Sequence, residues 1–396
     1  MTEKQTTKVH YLVPLTVMTV AGFTFNTSEL LPVGLLSDIA ESLGVSEART
    51  GLLITVYAWV VALMSLPLML VFAKVPYRKL MLWVIGLFAV SHGVTAFAPG
   101  YVVLMASRIG VALAHSLFWS IAPGMAVAVS PPSRRASSLS LLVAGGGIAL
   151  IVGMPLGRML GLVAGWRVAF GAIGLLSAAI WIMMRCFYPP IGREGASKSR
   201  KQLIDKMLHS PQLLMIYLII GVIVTGYYTG YSYIEPFMAQ VAAMSDSDIT
   251  LTLSAFGVAG LAGSFVAGEW YRRHSGLLIG LACCGIPSML LMLYPAASSG
   301  AWGIAAVCII WGMSVTILNI ALQNDIVTLF PEDSAVPMSL YSGTFNLGIG
   351  AGALVGGIAV NSGNIAEIGF IGGGIAVVIA IFALAAYIPR RLGPRN

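Results

Sequence analysis

The sequence predicts an all-α membrane protein whose twelve transmembrane helices form two bundles of six. Of its 396 residues, 58% are hydrophobic and only 9% are charged, and the mean hydropathy is +0.90. A soluble protein has about 25% charged residues, so this chain does not belong to the soluble class. Its apolar runs are also much longer than the ~10-residue strands of a membrane β-barrel, which leaves a helical bundle.

Twelve apolar runs follow one another along the chain, and each is long enough to cross a hydrocarbon core of about 30 Å. The first run is too long for the apolar part of a signal peptide and many more follow it, so we expect it to be retained as a span. The runs cover residues 11–36, 50–73, 79–98, 101–129, 136–163, 165–188, 212–240, 249–271, 276–296, 301–330, 336–361 and 365–389.

The only long polar stretch separates the sixth run from the seventh. It contains the bases Arg193, Lys198, Arg200, Lys201 and Lys206. We therefore predict an N-terminal six-helix bundle over residues 1–188, a basic cytoplasmic linker over 189–211 and a C-terminal six-helix bundle over 212–396.

The basic residues predict the orientation of the spans. With the N-terminus in the cytoplasm, Arg49 and Arg167 fall outside and Arg108 and Arg158 fall within spans, which leaves 18 of the 22 Lys and Arg residues inside. Cytoplasmic loops carry an excess of these residues, so we expect both termini in the cytoplasm. The same distribution explains the net charge of +7 without a nucleic-acid partner.

Glycines recur at corresponding places in the two halves. The fifth span carries Gly153 and Gly157, and the eleventh carries Gly352 and Gly356 at the same spacing of four. This spacing lets helix backbones approach closely. Tight packing is the simplest interpretation, and the repetition adds the hypothesis that this packing shifts during transport.

An acid interrupts the first span. Glu29 stands at membrane depth, where an ionised side chain costs roughly 2.5–3.5 kcal/mol on insertion scales, and Asn26 shares its helix face. Such a face must line a bundle interior or a water-filled cavity. Glu29 is therefore either a proton or substrate site, which we favour, or a buried acid with a structural partner.

In the fourth span, Arg108, Ala112, His115 and Trp119 recur at spacings of three to four and form one face. His115 offers a donor and an acceptor, and Trp119 a flat apolar surface, which together suit a sugar ring. The alternatives are a histidine satisfied inside the bundle and, for Arg108, an architectural role in binding carbonyl groups or an acid.

Two further residues are candidates for substrate contact in the second half. Tyr231 lies in the tyrosine-rich seventh span, beside Glu235, and either lines a cavity or belongs to an interfacial aromatic belt. Asn346 in the eleventh span shares a face with Ser342, as Asn319 does with Gln323 in the tenth. Amides in spans often serve only to join helices.

No motif for metal binding, phosphate binding or nucleophilic catalysis occurs in the sequence. The cysteines Cys186, Cys283, Cys284 and Cys308 have no spacing typical of a zinc site, and we assign them to packing. We expect no metal and no cofactor, and no enzymatic activity. A membrane sensor is disfavoured because no soluble output domain is present.

The motifs resemble the major facilitator superfamily, specifically its twelve-span drug:proton antiporter group. The fifth span, from Gly145 through Gly153 and Pro155 to Gly157, resembles the antiporter motif of that group. The Arg108–His115 segment resembles the family's fourth-helix motif, and Phe345–Gly352 is also typical. The loop after the second span departs from the pattern, since only Arg78 and Lys79 of its usual charged motif remain.

The segments around Glu29, Tyr57–Pro67, His115 and Tyr231–Glu235 are similar to sugar efflux transporters of the SotB type. The resemblance implies export of arabinose, lactose-like sugars and thiogalactosides, with the proton as coupling ion. We expect a monomer in the inner membrane, among lipids. Export of drugs, nucleosides or other metabolites is the alternative. Glu29 would carry the proton, while Arg108, Gly153, Pro155 and Gly157 would be structural or gating residues. The sugar contacts would be Asn26, Glu29, His115, Trp119, Tyr231 and Asn346.

Overall fold

A computed structural model describes residues 3–72, 74–190, 205–330 and 334–392. Helices account for nearly all of this part of the chain, and no residue in it lies in a β-strand, which confirms the predicted helical class. The helices are α1 (Glu3–Gly34), α2 (Leu36–Leu43), α3 (Glu47–Val71), α4 (Tyr77–Ala96), α5 (Tyr101–Ala128), α6 (Arg135–Ile148), α7 (Met154–Ala164), α8 (Trp166–Phe187), α9 (Pro211–Tyr231), α10 (Ile234–Gln240), α11 (Asp246–Ala297), α12 (Gly300–Leu329), α13 (Ala335–Asn361), α14 (Ile368–Phe382) and α15 (Ile388–Leu392).

Eleven helical segments in the described ranges are long and apolar enough to cross a membrane, and α1 contains residues 11–34 of the first predicted run. The fifth span consists of α6 and α7, joined by a π-helical turn over Ala149–Gly153. The predicted eighth and ninth spans are two helical segments of α11, Asp246–Tyr271 and Arg273–Ala297, and the helical backbone is interrupted at His274, where φ is −134° and ψ is 34°.

The first span ends where its sequence predicts a weak point. Helix α1 continues through Pro32 and ends at Gly34. The guanidinium of Arg158, from α7, donates a hydrogen bond to the Gly34 carbonyl. The last carbonyls of a helix have no partner within the helix and carry partial negative charge, so a buried arginine stabilises this end.

Contacts divide the chain into two units, Met1–Leu43 with Val60–Gly195 and Gly44–Trp59 with Ala196–Asn396. The predicted division at residues 188 and 212 remains a prediction, and linker residues 191–204 lie outside the described part.

The start of α3 joins the second unit through hydrogen bonds. Trp59 Nε1 donates to the Leu347 carbonyl at 3.3 Å, and Gln240 Nε2 donates to Glu47 Oε1 at 2.6 Å. The second unit therefore includes the N-terminal half of the second predicted span.

Candidate functional site

The acid predicted from the first span faces the histidine predicted from the fourth. Glu29 Oε2 lies 3.8 Å from His115 Nε2, and the two side chains are 23% and 7% exposed. The two groups are therefore close enough for an electrostatic interaction, and a small movement would bring them within hydrogen-bonding distance. The Glu29 carboxyl group is still accessible. These are the properties that a site for proton uptake requires.

A layer of stacked aromatic rings supports this pair. The Phe25 ring stacks on Phe88 with a centroid distance of 3.8 Å and on Phe118 at 4.2 Å. Its edge meets the His115 ring at 5.9 Å. All three phenylalanines are buried, so the imidazole stands on a rigid apolar base.

Behind Glu29, a chain of hydrogen bonds joins three helices. Arg108 Nη1 donates to the carbonyl and to the hydroxyl of Ser28, at 3.2 and 3.3 Å. Ser28 Oγ lies 2.8 Å from His92 Nε2, and His92 Nδ1 lies 3.0 Å from the Phe88 carbonyl.

The bonding pattern identifies the form of His92. A carbonyl can only accept, so Nδ1 carries the proton, and with neutral imidazole Nε2 accepts from the Ser28 hydroxyl. The whole chain then runs in one direction, from the Arg108 guanidinium to the Phe88 carbonyl. All these side chains are buried, and each bond therefore avoids the cost of an unpaired polar group.

Asn26 and Trp119 meet at the glycine-rich fifth span. A methyl group built onto Gly146 would lie 2.5 Å from Asn26 Nδ2 and 3.7 Å from the Trp119 ring, and one on Gly22 would lie 3.6 Å from the same ring. Both side chains are partly exposed. Because Gly146 and Gly22 have no side chain, they leave space for the Asn26 amide and the Trp119 ring.

The predicted antiporter motif packs against α1. Gly153 faces Thr27, and a methyl group on Gly157 would lie 2.8 Å from Leu31. Pro155 is buried at the start of α7, directly after the π-helical turn. The motif therefore fixes the helix that carries Glu29, and its wide turn marks a place where that contact can change.

Tyr231 belongs to a buried aromatic cluster in the second unit. Its ring lies 5.0 Å from Phe256 and 6.0 Å from Trp311, and it is 3% exposed. A residue of a lipid-facing aromatic belt would be exposed, so the burial argues against the belt interpretation and shows Tyr231 packed inside this unit. The Trp311 nitrogen has no hydrogen-bond partner among the described residues.

Asn346 is buried in the same unit, and only the nitrogen of its side-chain amide forms a hydrogen bond. Its Nδ2 donates to the Ser342 carbonyl at 3.0 Å, while its Oδ1 has no hydrogen-bond partner in the described part of the chain. A buried, unpaired acceptor carries a free-energy cost unless a ligand or water satisfies it. Asn346 therefore keeps an acceptor available for a donor.

Two clusters were not predicted from the sequence. His92, a histidine of the third span without a charged neighbour in the sequence, takes part in the Arg108 chain. Asp325 accepts hydrogen bonds from the Tyr271 and Tyr387 hydroxyls and forms an ion pair with Arg391 at 2.5 Å. Asp325 could be noticed in the sequence because an acid is rare within a span. Its partners lie 54 to 66 residues away, and no local spacing indicates them.

The site residues thus fall into two sets. The first unit brings together Asn26, Glu29, Arg108, His115 and Trp119, with Gly153, Pro155 and Gly157 supporting α1, while Tyr231 and Asn346 belong to the second unit. Among the described residues, no group of three or more His, Cys, Asp or Glu side chains could hold a metal ion.

Comparison with known proteins gives matches over nearly the whole chain. The family model of the Major Facilitator Superfamily matches residues 17–336. Two proteins described as "Probable sugar efflux transporter", from Helicobacter pylori strains G27 and P12, are 40% and 39% identical over 97% of this chain and 97% of their own.

Two solved structures share the fold at low identity. A bacterial homologue of the human lysosomal transporter Spinster, in an inward-facing unoccupied conformation, has a TM-score of 0.73 at 15% identity and full coverage of both chains. A POT family transporter in complex with 5-aminolevulinic acid has a TM-score of 0.78 at 12% identity, covering 97% of this chain and 96% of its own.

Proposed function

Because the chain belongs to the major facilitator superfamily, we propose that it exports small sugars from the cytoplasm in exchange for protons. The family predicted from the fourth, fifth and eleventh spans is confirmed, and its members are transporters rather than enzymes. The observation that carries the substrate class is the 40% identity, over 97% of both chains, to a relative described as a sugar efflux transporter.

Glu29 is our candidate for the proton site. The geometry in support is a partly exposed carboxyl group 3.8 Å from His115 Nε2. Protonation would remove the cost of a charge at membrane depth. It would also turn an oxygen that only accepts hydrogen bonds into one that donates. Both changes alter how Glu29 binds its surroundings, which is what coupling to a substrate requires.

We assign sugar binding to Asn26, Glu29, His115 and Trp119, and we keep Tyr231 and Asn346 as proposed sugar contacts. The polar side chains offer donors and acceptors for hydroxyl groups, and Trp119 offers an apolar ring for a C–H face. Arg108, Gly153, Pro155 and Gly157 would hold or release α1 as access alternates between the two sides of the membrane.

The chain is a multi-pass membrane protein. We further propose that it works as a monomer in the inner membrane, with both termini in the cytoplasm and no cofactor besides the proton. The preferred sugars would be arabinose, lactose-like sugars and thiogalactosides.

The test uses purified protein in liposomes with its cytoplasmic face outward. With an acidic lumen, we expect labelled arabinose or a thiogalactoside to accumulate inside and a protonophore to abolish the accumulation. A lipophilic cation should not accumulate. Accumulation of the cation without any sugar would replace the proposal by the drug-export alternative, and sugar accumulation insensitive to the protonophore would remove the proton from the mechanism.

A further inference from the structure

A cavity with several polar side chains lies between α12 and α13, within the second unit. Its volume is ≈ 240 Å³. None of its residues belongs to the sugar contacts proposed above. The lining residues are Asn319, Gln323, Met338, Tyr341, Ser342 and Phe345.

Hydrogen bonds orient the two amides that line it. Asn319 Oδ1 accepts from the Tyr341 hydroxyl at 2.6 Å and from Gln323 Nε2 at 2.9 Å. An amide oxygen has two lone pairs, so this oxygen is fully used. Tyr341 is buried, and its hydroxyl therefore holds Asn319 in a fixed direction.

This arrangement leaves three polar groups of the cavity available to form hydrogen bonds with a ligand. Asn319 Nδ2 makes no side-chain hydrogen bond within the described residues, and neither does Gln323 Oε1. The Ser342 hydroxyl, which is exposed, is likewise without one in that part of the chain. The cavity therefore offers a donor from Asn319, an acceptor from Gln323 and the Ser342 hydroxyl, which can donate or accept. This set matches neighbouring hydroxyl groups of a polyol.

The other properties of the cavity restrict its ligand. No charged side chain lines it, so a charged ligand would lose hydration without gaining a counter-ion. Phe345 and Met338 supply an apolar wall for a C–H face. The volume is below the about 300–1,000 Å³ of sites for drug-sized molecules, which favours a single sugar ring.

We propose that this cavity is a sugar-loading subsite on the cytoplasmic side of the transporter. The inference rests on the proposed sugar export and on the predicted orientation, in which α12 ends and α13 begins at the cytoplasm. The cavity shares no residue with the Glu29 and His115 pair and contains no carboxylate or histidine. Loading therefore affects the sugar concentration needed for transport and leaves the proton dependence unchanged.

The first test compares matched substitutions on α12. Asn319→Leu and Gln323→Leu each remove one hydrogen-bonding group from the cavity, while Asn324→Leu changes an amide that does not line it. In inside-out vesicles we expect Asn319→Leu and Gln323→Leu to raise the arabinose concentration for half-maximal export about fivefold, the loss of one hydrogen bond. The maximal rate and its pH dependence should match those of Asn324→Leu.

A second pair of variants, on α13, remains informative if the α12 variants fail to fold. Ser342 and Ser339 are both exposed on α13, but only Ser342 lines the cavity. Ser342→Phe should fill it and raise the half-maximal concentration, with Ser339→Phe unchanged. Sugar-induced thermal stabilisation of the purified variants gives the same comparison without transport.

The outcomes separate the two proposals. If the original protein neither exports nor is stabilised by any sugar, the sugar proposal and the subsite both fail. If the original protein exports sugar while Asn319→Leu, Gln323→Leu and Ser342→Phe behave like their controls, only the subsite fails. A subsite variant with altered pH dependence would also overturn the separation of loading from proton coupling.

Discussion

At the residue scale, Glu29 and Arg108 illustrate how the membrane makes a charged side chain informative. Each charge has to be compensated inside the protein, and Arg108 is compensated by the carbonyl and hydroxyl of Ser28. Glu29 is less completely enclosed, with its side chain 23% exposed beside His115. The arginine is therefore suited to an architectural role and the acid to a change of protonation.

We predict that Glu29→Gln abolishes proton-driven sugar accumulation while some sugar binding remains. The amide keeps hydrogen-bonding groups of similar shape, but it cannot bind and release a proton. The measurement is flux driven by a pH gradient, together with sugar-induced thermal stabilisation. Glu41→Gln, on the exposed surface of α2, is the control. If Glu29→Gln accumulates sugar with unchanged pH dependence, Glu29 is structural and Glu235 is the next candidate.

A separate prediction concerns His115. His115→Ala should weaken sugar binding about tenfold, because it removes a donor and an acceptor without a replacement. Residual flux at saturating sugar should still depend on the proton gradient, since Glu29 is present. His209→Ala, at a side chain 77% exposed, is the control. Equal binding by the two variants would exclude His115 from sugar recognition.

The sequence identified the charged residues of this site but not their partners. Glu29, Arg108 and His115 are visible because ionisable groups are rare in spans. Ser28 gave no such signal, and its bond to His92 joins positions 64 residues apart. Such a contact depends on how the helices pack, which no local spacing encodes.

At the element scale, the glycines of the fifth span determine how α1 is held. Their spacing of four predicted a close helix contact, and the structure identifies the partner as the helix that carries Glu29. The π-helical turn at Ala149–Gly153 was not predicted, because it requires one residue more per turn in a sequence that is otherwise regularly helical.

We predict that Gly153→Leu and Gly157→Leu stop transport while the protein remains in the membrane. Leucine at either position would overlap Thr27 or Leu31 of α1. Gly147→Leu is a matched control in the same span, because nothing lies within 4 Å of the added Cβ. Membrane abundance and sugar flux of all three variants should be compared. Full activity of Gly153→Leu and Gly157→Leu would remove the motif from the mechanism.

The cluster around Asp325 connects helices at the C-terminal end of the chain. Besides the ion pair, Arg391 Nη1 donates to Ser275 Oγ at 2.6 Å, and the Tyr387 hydroxyl donates to Asp325 Oδ2 at 2.5 Å. The network thus ties α11 and α12 to the last predicted span. Removal of one partner of such a buried pair leaves the other charge without compensation.

We predict that Asp325→Asn lowers the free energy of unfolding by about 3–5 kcal/mol, because Arg391 loses its counter-ion. The measurement is thermal unfolding of the purified protein, with Asp205→Asn, at a side chain 75% exposed, as control. The double variant Asp325→Leu with Arg391→Met should recover part of the loss. An unfolding temperature of Asp325→Asn equal to that of the control would contradict this role.

At the scale of the whole molecule, the composition and the long apolar runs predicted most of the helical architecture. Eleven helical segments in the described ranges meet the length and composition of a span. The eighth and ninth spans are among them, as the segments Asp246–Tyr271 and Arg273–Ala297. Residues 44–59 are an exception, since they group with the second unit. This grouping does not follow from hydropathy, because it depends on contacts between distant segments.

The orientation of the chain is the last prediction and is tested with reporters that are active on only one side of a membrane. A fluorescent protein fused after Lys201 or at the C-terminus should be active in the cytoplasm. Alkaline phosphatase should be active outside when fused at Ser298, between α11 and α12, or at Gly44, between α2 and α3. With the N-terminus in the cytoplasm, an external signal at Gly44 requires α1 to cross the membrane.

The physical reason for this orientation is the asymmetry of the basic residues. With Arg49 and Arg167 alone outside and Arg108 and Arg158 within spans, 18 of 22 Lys and Arg residues stay on the cytoplasmic side. An external Lys201 fusion would make the twelve-span assignment wrong, because an odd number of spans would then precede the linker. An internal Gly44 fusion with an external Ser298 fusion would require an odd number of spans between them and would contradict the eight predicted there. Only cytoplasmic signals at both Lys201 and the C-terminus, with external signals at Gly44 and Ser298, agree with six spans in each half.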